Sequence, residues 1–394
     1  MVRFKTLFVL LILFVDANVS GQVKIRLFAS RSPRVAVFSV THGRYELNLY
    51  NGEIISISEG EPVILMKYDN KLAVKTANEK GYICDSVFFT GKTGDDSFSL
   101  RLNEKSPVRQ VYSGDLGCLP DFGTILFINN CDIERYISGV VMAEGGSGKN
   151  LEYFKTQAII ARTYMYRSFG KHMSDKYNVC DNTHCQAFNG MSSDTLLNIA
   201  ALETKGLVIL DKDSTLIESA FHANCGGVTS SSEDVWLTHQ TYLKSVVDPY
   251  CLSSRSATWQ KSISAKDWIS YLAKSGYQVK ADSSQINFSQ TTRLTEYKTA
   301  AFSIPLLKVR TDLNLRSTYF SVYLKGDSVI LVGRGYGHGV GLCQEGAMAM
   351  ASKGFKYREI INFYYSGVVI SDIKNAVNLP AKPVVKTFLY RPSK

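Results

Sequence analysis

The stretch Glu134–Glu144, with the sequence ERYISGVVMAE, carries the clearest helical pattern in this chain. Its apolar residues Ile137 and Val140 recur at the spacing of one helical face, which predicts an amphipathic helix. The pair Gly145–Gly146 ends this helix, and a second helix is predicted from Asn150, a residue suited to an N-cap. Two helices joined by a short glycine loop therefore form the predicted centre of the fold.

Strand patterns lie on both sides of the two helices. Helices and strands that are mixed in this way, without strict alternation, indicate an α+β fold with several helices and antiparallel strands. The predicted elements are a strand at Ile125–Phe127, a helix start at Asn129–Asn130, strands around 206–210 and 216–221, a helix within 259–275 and two more strands before Gly333.

The first part of the chain has the pattern of a smaller β-rich module, residues 22–105. Runs such as Val35–Val40 and Tyr45–Tyr50 are rich in strand-forming residues, and Asn51–Gly52 is typical of a hairpin turn. This module contains no acid, base or metal constellation, so it is predicted to support or position the larger α+β domain at 106–378.

The extreme N-terminus is predicted to be a cleaved signal peptide, residues 1–21. Positive charge precedes the apolar run Leu7–Val15, and the small residues Ser20–Gly21 follow it. The run has about half of the ~20 residues that a transmembrane helix needs, which makes an uncleaved anchor the less favoured alternative. The protein is therefore predicted to be exported, to the periplasm or the cell wall.

Composition narrows the class of protein. The chain has 394 residues, of which 45% are hydrophobic and 20% charged, which is typical of a globular protein with buried cores. Its formal charge of +10 suits the anionic polymers of a cell wall, and no nucleic-acid partner is predicted for an exported protein. Residues 379–394, rich in Lys and Pro, are predicted to be a loose tail.

Glu144 is the first candidate for chemistry. It falls on the apolar side of its predicted helix and in the last turn, where the helix dipole is negative. Desolvation and the dipole both disfavour the carboxylate anion and raise the pKa, as a general acid at neutral pH requires. The alternative is an ordinary surface glutamate near a frayed helix end.

Cysteine and histidine cluster at one place in the sequence. Cys180, His184 and Cys185 offer thiolate and imidazole ligands within a few residues, and His222 with Cys225 forms another such pair. Zinc is one interpretation, and a disulfide between Cys180 and Cys185 is the other for an exported protein. The remaining cysteines are scattered and are typical of disulfides or buried apolar groups: Cys84, Cys118, Cys131, Cys251 and Cys343.

Glycine occupies every second position from Gly333 to Gly341. The spacing is not that of a phosphate-binding loop, but it leaves one side of an extended segment without side chains. A sugar chain or another backbone can then approach closely. His338 within this block and Gln344 at the start of the next helix are predicted to line a cleft, and a buried structural histidine is the alternative for His338.

Five ordered motifs across roughly Arg109 to Ile370, about two thirds of the chain, resemble the stage II sporulation protein D family. They are Glu134–Glu144 with Phe154–Tyr164, then Cys180–Gln186, Ser232–Trp236, Tyr242–Val246 and Gly333–Ala347. The resemblance implies that residues 106–378 form the catalytic domain of a lytic transglycosylase. Such an enzyme cleaves peptidoglycan glycan strands between N-acetylmuramic acid (MurNAc) and N-acetylglucosamine (GlcNAc), preferring strands without peptides.

The same resemblance assigns roles to residues. Glu144 matches the acid/base, which protonates the glycosidic oxygen and then takes the proton of the muramic acid C6 hydroxyl, so that a 1,6-anhydro ring closes. Substrate contacts map onto Arg162, Tyr242, Lys244 and Tyr365. The alternatives are a structural ion pair for Arg162 and a core position for Tyr365, and Tyr364 is an alternative for the matching ring in place of Tyr365.

The resemblance also implies structural zinc, because some members bind it beside the cleft through a Cys/His/Cys cluster and one further histidine. Cys180, His184 and Cys185 match the cluster, and His172 is the nearest upstream candidate for the fourth ligand. Glycan strands are the implied partner, with a cell-wall amidase acting upstream. The rival functions are a zinc-dependent wall amidase or peptidase, which leaves Glu144 unexplained, and a non-catalytic glycan-binding wall protein.

Overall fold

A computed structural model describes residues 21–49, 52–78, 80–145, 150–236, 238–377 and 379. The predicted signal peptide lies outside the described residues except for Gly21, as does the predicted tail except for Leu379. Asn51 of the predicted hairpin turn and Gly146 of the predicted glycine loop also lie outside them.

The strands within residues 22–180 form two sheets. These strands are β1 (Gln22–Leu27), β2 (Val35–His42), β3 (Arg44–Leu49), β4 (Ile54–Ser58), β5 (Pro62–Tyr68), β6 (Lys71–Lys75), β7 (Gly81–Cys84), β8 (Val87–Gly91), β9 (Ser97–Leu102), β10 (Arg109–Ser113), β11 (Asp115–Asp121), β12 (Thr124–Asp132) and β13 (Val179–Cys180). One sheet has seven strands in the order β13-β1-β12-β11-β8-β3-β4, and the other has six in the order β10-β9-β2-β5-β6-β7. Neighbouring strands are antiparallel, except that β13 runs parallel to β1.

Aromatic side chains form the core between these sheets. Phe38 on β2 stacks on Phe89 of β8 with ring centroids 3.9 Å apart, and Tyr45 and Phe98 are likewise fully buried. Burial alternates along β2 and β3, so the strands predicted at 35–40 and 45–50 are confirmed, the second of them over its described residues 45–49. The strands after residue 105 pair with those before it, β10 with β9 and β11 with β8. The sheets therefore cross the predicted module boundary, and the division into domains stays a prediction.

Helix α1 (Ile133–Glu144) follows β12 without a break and confirms the predicted central helix. Its N-cap is Asp132, whose side chain accepts hydrogen bonds from the first-turn N–H groups of Glu134 and Arg135. The predicted helix start at Asn129–Asn130 is wrong, because these residues continue β12 in register with β11. The strand pairing holds the backbone extended until a side chain that can cap the helix is reached.

Helix α2 (Leu151–Arg167) begins where the sequence predicts, with the Asn150 side chain accepting a hydrogen bond from the Glu152 N–H at 2.9 Å. A buried ion pair joins it to α1. Arg162 is fully buried and donates to both carboxylate oxygens of Glu134, with Nε 3.2 Å from Oε1. This pair fixes the orientation of α1, which carries Glu144 at its end.

The remaining described elements complete the α+β fold. They include the predicted strand near 206–210, the predicted helix within 259–275 and the two strands before Gly333. Of the strand predicted at 216–221, only Phe221 lies in a strand, and Leu216 forms an isolated bridge with Leu210. The elements are α3 (Thr195–Glu203), β14 (Leu207–Leu210), β15 (Phe221–His222), α4 (Glu233–Trp236), β16 (Thr258–Ser264), α5 (Ala265–Lys274), α6 (Ser283–Ile286), β17 (Glu296–Lys298), β18 (Ser303–Pro305), α7 (Leu306–Asp312), β19 (Phe320–Lys325), β20 (Ser328–Arg334), β21 (Leu342–Cys343), α8 (Gln344–Ser352), α9 (Tyr357–Tyr364) and β22 (Val369–Asp372).

One short pairing matters for the site. Strand β15 lies parallel to β21, with Phe221 opposite Leu342 and His222 opposite Cys343. The two strands are far apart in the sequence. Their pairing brings the loop after β15 next to the start of helix α8.

Candidate active site

Glu144 is the last residue of α1 and is partly buried. The backbone N–H of Ala187 donates a hydrogen bond to its Oε1 at 2.5 Å. Burial raises the pKa of the Glu144 carboxyl above its ordinary value, and the Ala187 N–H, which stabilises the anion, lowers it by less. The net pKa is raised, in the direction that the helix pattern predicts.

Gln344, the first residue of α8, contacts Glu144 directly. Its side-chain Nε2 donates a hydrogen bond to the Glu144 carbonyl oxygen at 2.6 Å. Carbonyl groups in the last turn of a helix have no partner within the helix, so a side-chain donor satisfies one that would otherwise need water. The structure thus joins two of the residues predicted from the sequence, Glu144 and Gln344.

The predicted cysteine and histidine cluster is assembled, and it includes His172. The ligand atoms of His172, Cys180, His184 and Cys185 all lie within 4.8 Å of one another. The Nδ1 atom of His184 is 3.6 Å from the Cys180 Sγ, and the Nε2 atom of His172 is 3.4 Å from the Cys185 Sγ. We call these four residues the Cys2His2 cluster.

The surroundings of this cluster suit a metal. Asp175 Oδ2 lies 3.1 Å from His172 Nδ1, which orients the ring so that its other nitrogen faces Cys185. Two thiolates and two imidazoles are the donor set of a four-coordinate structural zinc site. All eight cysteines lie in the described residues, and none forms a disulfide.

The turn after Cys185 packs directly on α1, and it connects the Cys2His2 cluster to the end of α1 where Glu144 lies. The ring centroids of Phe188 and Tyr136 are 5.1 Å apart. A Cβ on Gly139 would be only 2.3 Å from the Gly190 carbonyl oxygen. Glycine at 139 therefore permits this close approach. The Ala187 N–H that binds Glu144 belongs to the same turn, a contact that no side-chain motif could have revealed.

Arg162 and Tyr365 are held by hydrogen bonds within the protein, and their roles in binding substrate stay predictions. Both are fully buried. Arg162 is held by Glu134 and by the Leu207 and Ala201 carbonyl oxygens, and the Tyr365 hydroxyl donates to the Ala220 carbonyl oxygen at 2.6 Å. Neither polar end is available to a ligand in this conformation.

The other two predicted contacts differ in exposure. The Tyr242 side chain is largely buried, and its hydroxyl accepts a hydrogen bond from the Glu218 N–H at 3.0 Å. Lys244 is exposed on the segment that follows. Their roles in binding substrate stay predictions.

His338 is partly buried against two rings. Its centroid lies 5.5 Å from that of His222 and 5.4 Å from that of the half-exposed Trp236. Burial lowers the pKa of His338 to about 4, so the ring is neutral at pH 7, and its Nδ1 accepts a hydrogen bond from the Val340 N–H. A neutral imidazole in this position is an acceptor held in place, which agrees with the structural alternative.

The glycine block serves the protein's own packing. A Cβ on Gly333 would lie 2.0 Å from the Trp259 indole, and one on Gly341 would lie 2.2 Å from the Ala220 carbonyl oxygen. Gly341 also has a positive φ of 69°, which side chains disfavour. The alternating glycines permit close approach of a sugar chain or of another protein segment. The structure shows close contacts with protein segments.

The predicted pair of His222 and Cys225 does not form a joint site. His222 Nδ1 lies 3.1 Å from the Val340 carbonyl oxygen. Cys225 instead lies beside Cys251, Cys343 and Asp248 in a second cluster that the sequence analysis missed. The only local signal for it was the short spacing from Asp248 to Cys251.

Comparison with known proteins shows similarity over the region that holds this site. The family profile described as stage II sporulation protein matches residues 122–210, which hold α1, α2 and the Cys2His2 cluster. An uncharacterised protein of Brachyspira hyodysenteriae is 32% identical over 344 residues, which are 85% of this chain and 89% of that protein. Stage II sporulation protein D of Bacillus subtilis is 29% identical over 270 residues, which are 64% of this chain and 78% of that protein.

A further relative is the amidase enhancer of Bacillus subtilis, 29% identical over 293 residues, which are 60% of this chain and 40% of that longer protein. The chain belongs to the stage II sporulation protein D family. Membership indicates a role related to the cell wall. Among the described residues no helix combines the length and the apolar character needed to cross a membrane.

Proposed function

We propose that the protein is an exported peptidoglycan lytic transglycosylase that acts in the periplasm or cell wall. It cleaves glycan strands between MurNAc and GlcNAc and leaves 1,6-anhydroMurNAc ends. The observation that carries the proposal is Glu144: a partly buried carboxyl with a raised pKa, held at the end of α1 by the Ala187 N–H and, through its carbonyl, by Gln344.

One carboxyl group suffices for this reaction. Protonated Glu144 gives its proton to the glycosidic oxygen as the C1–O bond breaks, and GlcNAc leaves with a free hydroxyl. The resulting carboxylate, stabilised by the Ala187 N–H, then takes the proton of the muramic acid C6 hydroxyl while that oxygen bonds to C1. Glu144 is thereby protonated again, and no water is consumed.

A hydrolase would need a second carboxyl group, about 5 Å away for retention or about 6.5–9.5 Å away for inversion. Burial raises the pKa of the Glu144 carboxyl and the Ala187 N–H lowers it, and no charged group among the described residues contributes to the shift. This favours intramolecular ring closure over hydrolysis.

We also propose that the Cys2His2 cluster holds structural zinc. Four protein ligands leave no open coordination position for water, which disfavours the rival zinc amidase or peptidase. The ion would stabilise the turn after Cys185 and thereby the Ala187 N–H. Its removal by a chelator is expected to lower stability and activity together.

The preferred substrate on this proposal is a peptide-free glycan strand, supplied by a cell-wall amidase that acts upstream. The name of one relative, amidase enhancer, supports such a link. Digests of amidase-treated and untreated peptidoglycan test it, since faster cleavage of the treated wall is expected. Equal rates on both substrates would remove the preference without touching the reaction.

The decisive variant is Glu144→Gln, which keeps the shape of the side chain but cannot transfer the proton. Loss of the general acid is expected to lower the cleavage rate about 10²–10⁴-fold while glycan binding persists. Glu203→Gln on α3 is the matched control, because Glu203 is exposed and ion-paired with Lys155. Near-normal cleavage by Glu144→Gln would overturn the proposal, and unchanged glycan binding without cleavage by the parent protein would favour the non-catalytic alternative.

Product analysis tests the reaction type separately. Mass spectrometry of glycan digests is expected to show 1,6-anhydroMurNAc ends. Products that are heavier by one water would make the protein a hydrolase.

A further inference from the structure

The second cluster consists of Cys225, Asp248, Cys251 and Cys343, and all four residues are fully buried. One ligand atom from each lies within 4.8 Å of the other three. The Cys225 and Cys251 sulfur atoms are 3.4 Å apart, and the Asp248 Oδ2 is 3.2 Å from the Cys225 sulfur. We call this group the Cys3Asp cluster.

Three distant segments meet at the Cys3Asp cluster. Cys225 follows β15, Asp248 and Cys251 share one turn, and Cys343 ends β21 and caps helix α8. The parallel pairing of β15 with β21 brings the first and third segments together. These segments are largely irregular and form few β-sheet hydrogen bonds. A link between their side chains would therefore stabilise this region.

The neighbouring donors point at the sulfur and carboxylate atoms. The backbone N–H groups of Cys225 and Gly346 donate to the Cys343 sulfur at 3.3 and 3.4 Å. The Tyr250 N–H and the Tyr364 hydroxyl donate to the two oxygens of Asp248 at 2.9 and 3.0 Å. Donors arranged in this way favour thiolate and carboxylate anions, which are the forms that bind a metal.

A buried cation lies next to the cluster. Arg293 donates from Nη2 to the Cys225 carbonyl oxygen and from Nε to the Val228 carbonyl oxygen, both at 2.6 Å. Its Nη1 is buried without a hydrogen-bond partner among the described residues. Its guanidinium carbon also lies 4.9 Å from the Tyr319 ring centroid. A guanidinium buried against neutral groups is costly unless negative charge lies near it, and three thiolates and a carboxylate around one divalent ion would carry a net charge of about −2.

We propose that Cys225, Asp248, Cys251 and Cys343 form a second, structural zinc site. Tetrahedral zinc with Zn–S bonds of about 2.3 Å places its sulfur ligands about 3.8 Å apart, close to the separation found here. Four protein ligands fill the coordination shell, so the role is structural. The inference does not depend on the proposed transglycosylase activity.

The position of the site gives it a consequence for Glu144. Cys343 directly precedes Gln344, whose side chain donates to the Glu144 carbonyl oxygen. Gly346 in the same turn must be glycine, because a Cβ there would lie 2.3 Å from the Asp248 carboxylate. An ion on Cys343 would therefore fix the first turn of α8 and the donor that reaches Glu144.

The first experiment measures zinc per chain by elemental analysis of the purified full chain after loading with zinc chloride and gel filtration. Cys251→Ala is expected to hold one zinc ion fewer than the parent, whatever the Cys2His2 cluster holds. Cys84→Ala, which replaces a buried cysteine of the β-rich module, is the matched control and should hold as much zinc as the parent. Equal zinc content in Cys251→Ala and the parent would overturn the proposal.

A second experiment leaves the Cys3Asp cluster untouched, so it does not depend on how well Cys251→Ala folds. In Cys180→Ala/Cys185→Ala, cobalt(II) chloride is expected to bind once per chain with an intense sulfur-to-cobalt charge-transfer band. The absence of that band overturns the proposal. A cross-linked Cys225–Cys251 peptide in non-reducing digests of the zinc-loaded parent also overturns it, because those sulfur atoms would then be a disulfide.

Discussion

The two clusters of the protein contrast in how they are built. The Cys2His2 cluster takes its ligands from residues 172–185 and has one exposed member, His184, whereas the Cys3Asp cluster takes them from residues 225–343 and is wholly buried. The first is a local site that spacing along the chain can reveal. The second exists only because β15 pairs with β21.

Both clusters nevertheless act on the same residue through different atoms. The turn that follows Cys185 carries the Ala187 N–H, which binds the Glu144 carboxylate. The turn that follows Cys343 carries Gln344, which binds the Glu144 carbonyl. The first contact can change the chemistry of the acid, and the second can change only its position.

The largest expected difference between the clusters is in access to a chelator. Zinc in the Cys2His2 cluster should be released by local opening around His184, while zinc in the Cys3Asp cluster should be released only on global unfolding. Release to a colorimetric chelator should therefore have two phases that differ in rate by at least about 10²-fold. His184→Ala should remove the fast phase alone, and a single phase in the zinc-loaded parent would contradict the contrast.

The acidic residue of each cluster provides a second contrast. Asp248→Asn takes the charged ligand from a fully buried shell and is expected to lower the free energy of unfolding by about 3 kcal/mol or more. Asp175→Asn only weakens the orientation of His172 from a half-exposed position, and about 1–2 kcal/mol is expected through weaker metal binding. Denaturant titrations of the zinc-loaded proteins measure both values. A larger loss for Asp175→Asn would reverse the assignment of the buried site as the stronger one.

The outcome for the sequence analysis follows the same contrast between local and distant contacts. Helix α1, the Asn150 cap and the cluster around Cys180 and Cys185 could be predicted, because each depends on residues close together in the chain. The Cys3Asp cluster could not be predicted, since its three cysteines and Asp248 are far apart in the sequence except for Asp248 and Cys251, and only strand pairing brings them together. The helix start at Asn129–Asn130 was wrong because β12 pairs there with β11 and continues to Asp132 by pairing with β1.

Arg162 shows what a resemblance to a family leaves open. The sequence leaves two roles open for this residue, a sugar contact and a structural ion pair, and in the structure it is fully buried on α2. The carboxylate that it binds, Glu134, comes from α1. The sequence therefore identified the residue, and only the packing of α1 on α2 identified its partner.

Activity measurements should separate the two contacts to Glu144. Gln344→Leu removes the donor to the carbonyl and is expected to lower kcat about tenfold, the worth of one buried hydrogen bond, without moving the pH dependence. His172→Ala loosens the turn that holds the Ala187 N–H. Because that N–H favours the anion, its loss raises the pKa of Glu144 further, and the fall in activity at alkaline pH should move to higher pH.

Profiles of kcat against pH on purified glycan test this pair of variants. The acid form of Glu144 is required for the first proton transfer, so activity falls as the pH rises through its pKa. The pH at which kcat falls should shift in His172→Ala and should not shift in Gln344→Leu. The opposite result for either variant would contradict the separate roles of the Ala187 and Gln344 contacts. Zinc content is measured in parallel, since only His172→Ala should alter it.

The smallest expected effect is on stability, and it comes from Glu144 itself, which both clusters hold. Its pKa is higher in the folded than in the unfolded chain, so the folded state binds more protons and stability falls as the pH rises through that interval. Glu144→Gln removes this penalty. Its Tm should equal that of the parent below the ordinary carboxyl pKa of about 4.3 and exceed it at neutral and alkaline pH.

Calorimetry across this pH range tests the sign of the Tm difference, with Glu203→Gln at an exposed residue as control. A Tm of Glu144→Gln below that of the parent at pH 8 would mean that the protein stabilises the carboxylate instead of desolvating it, and Glu144 would then be poorly suited to act as an acid.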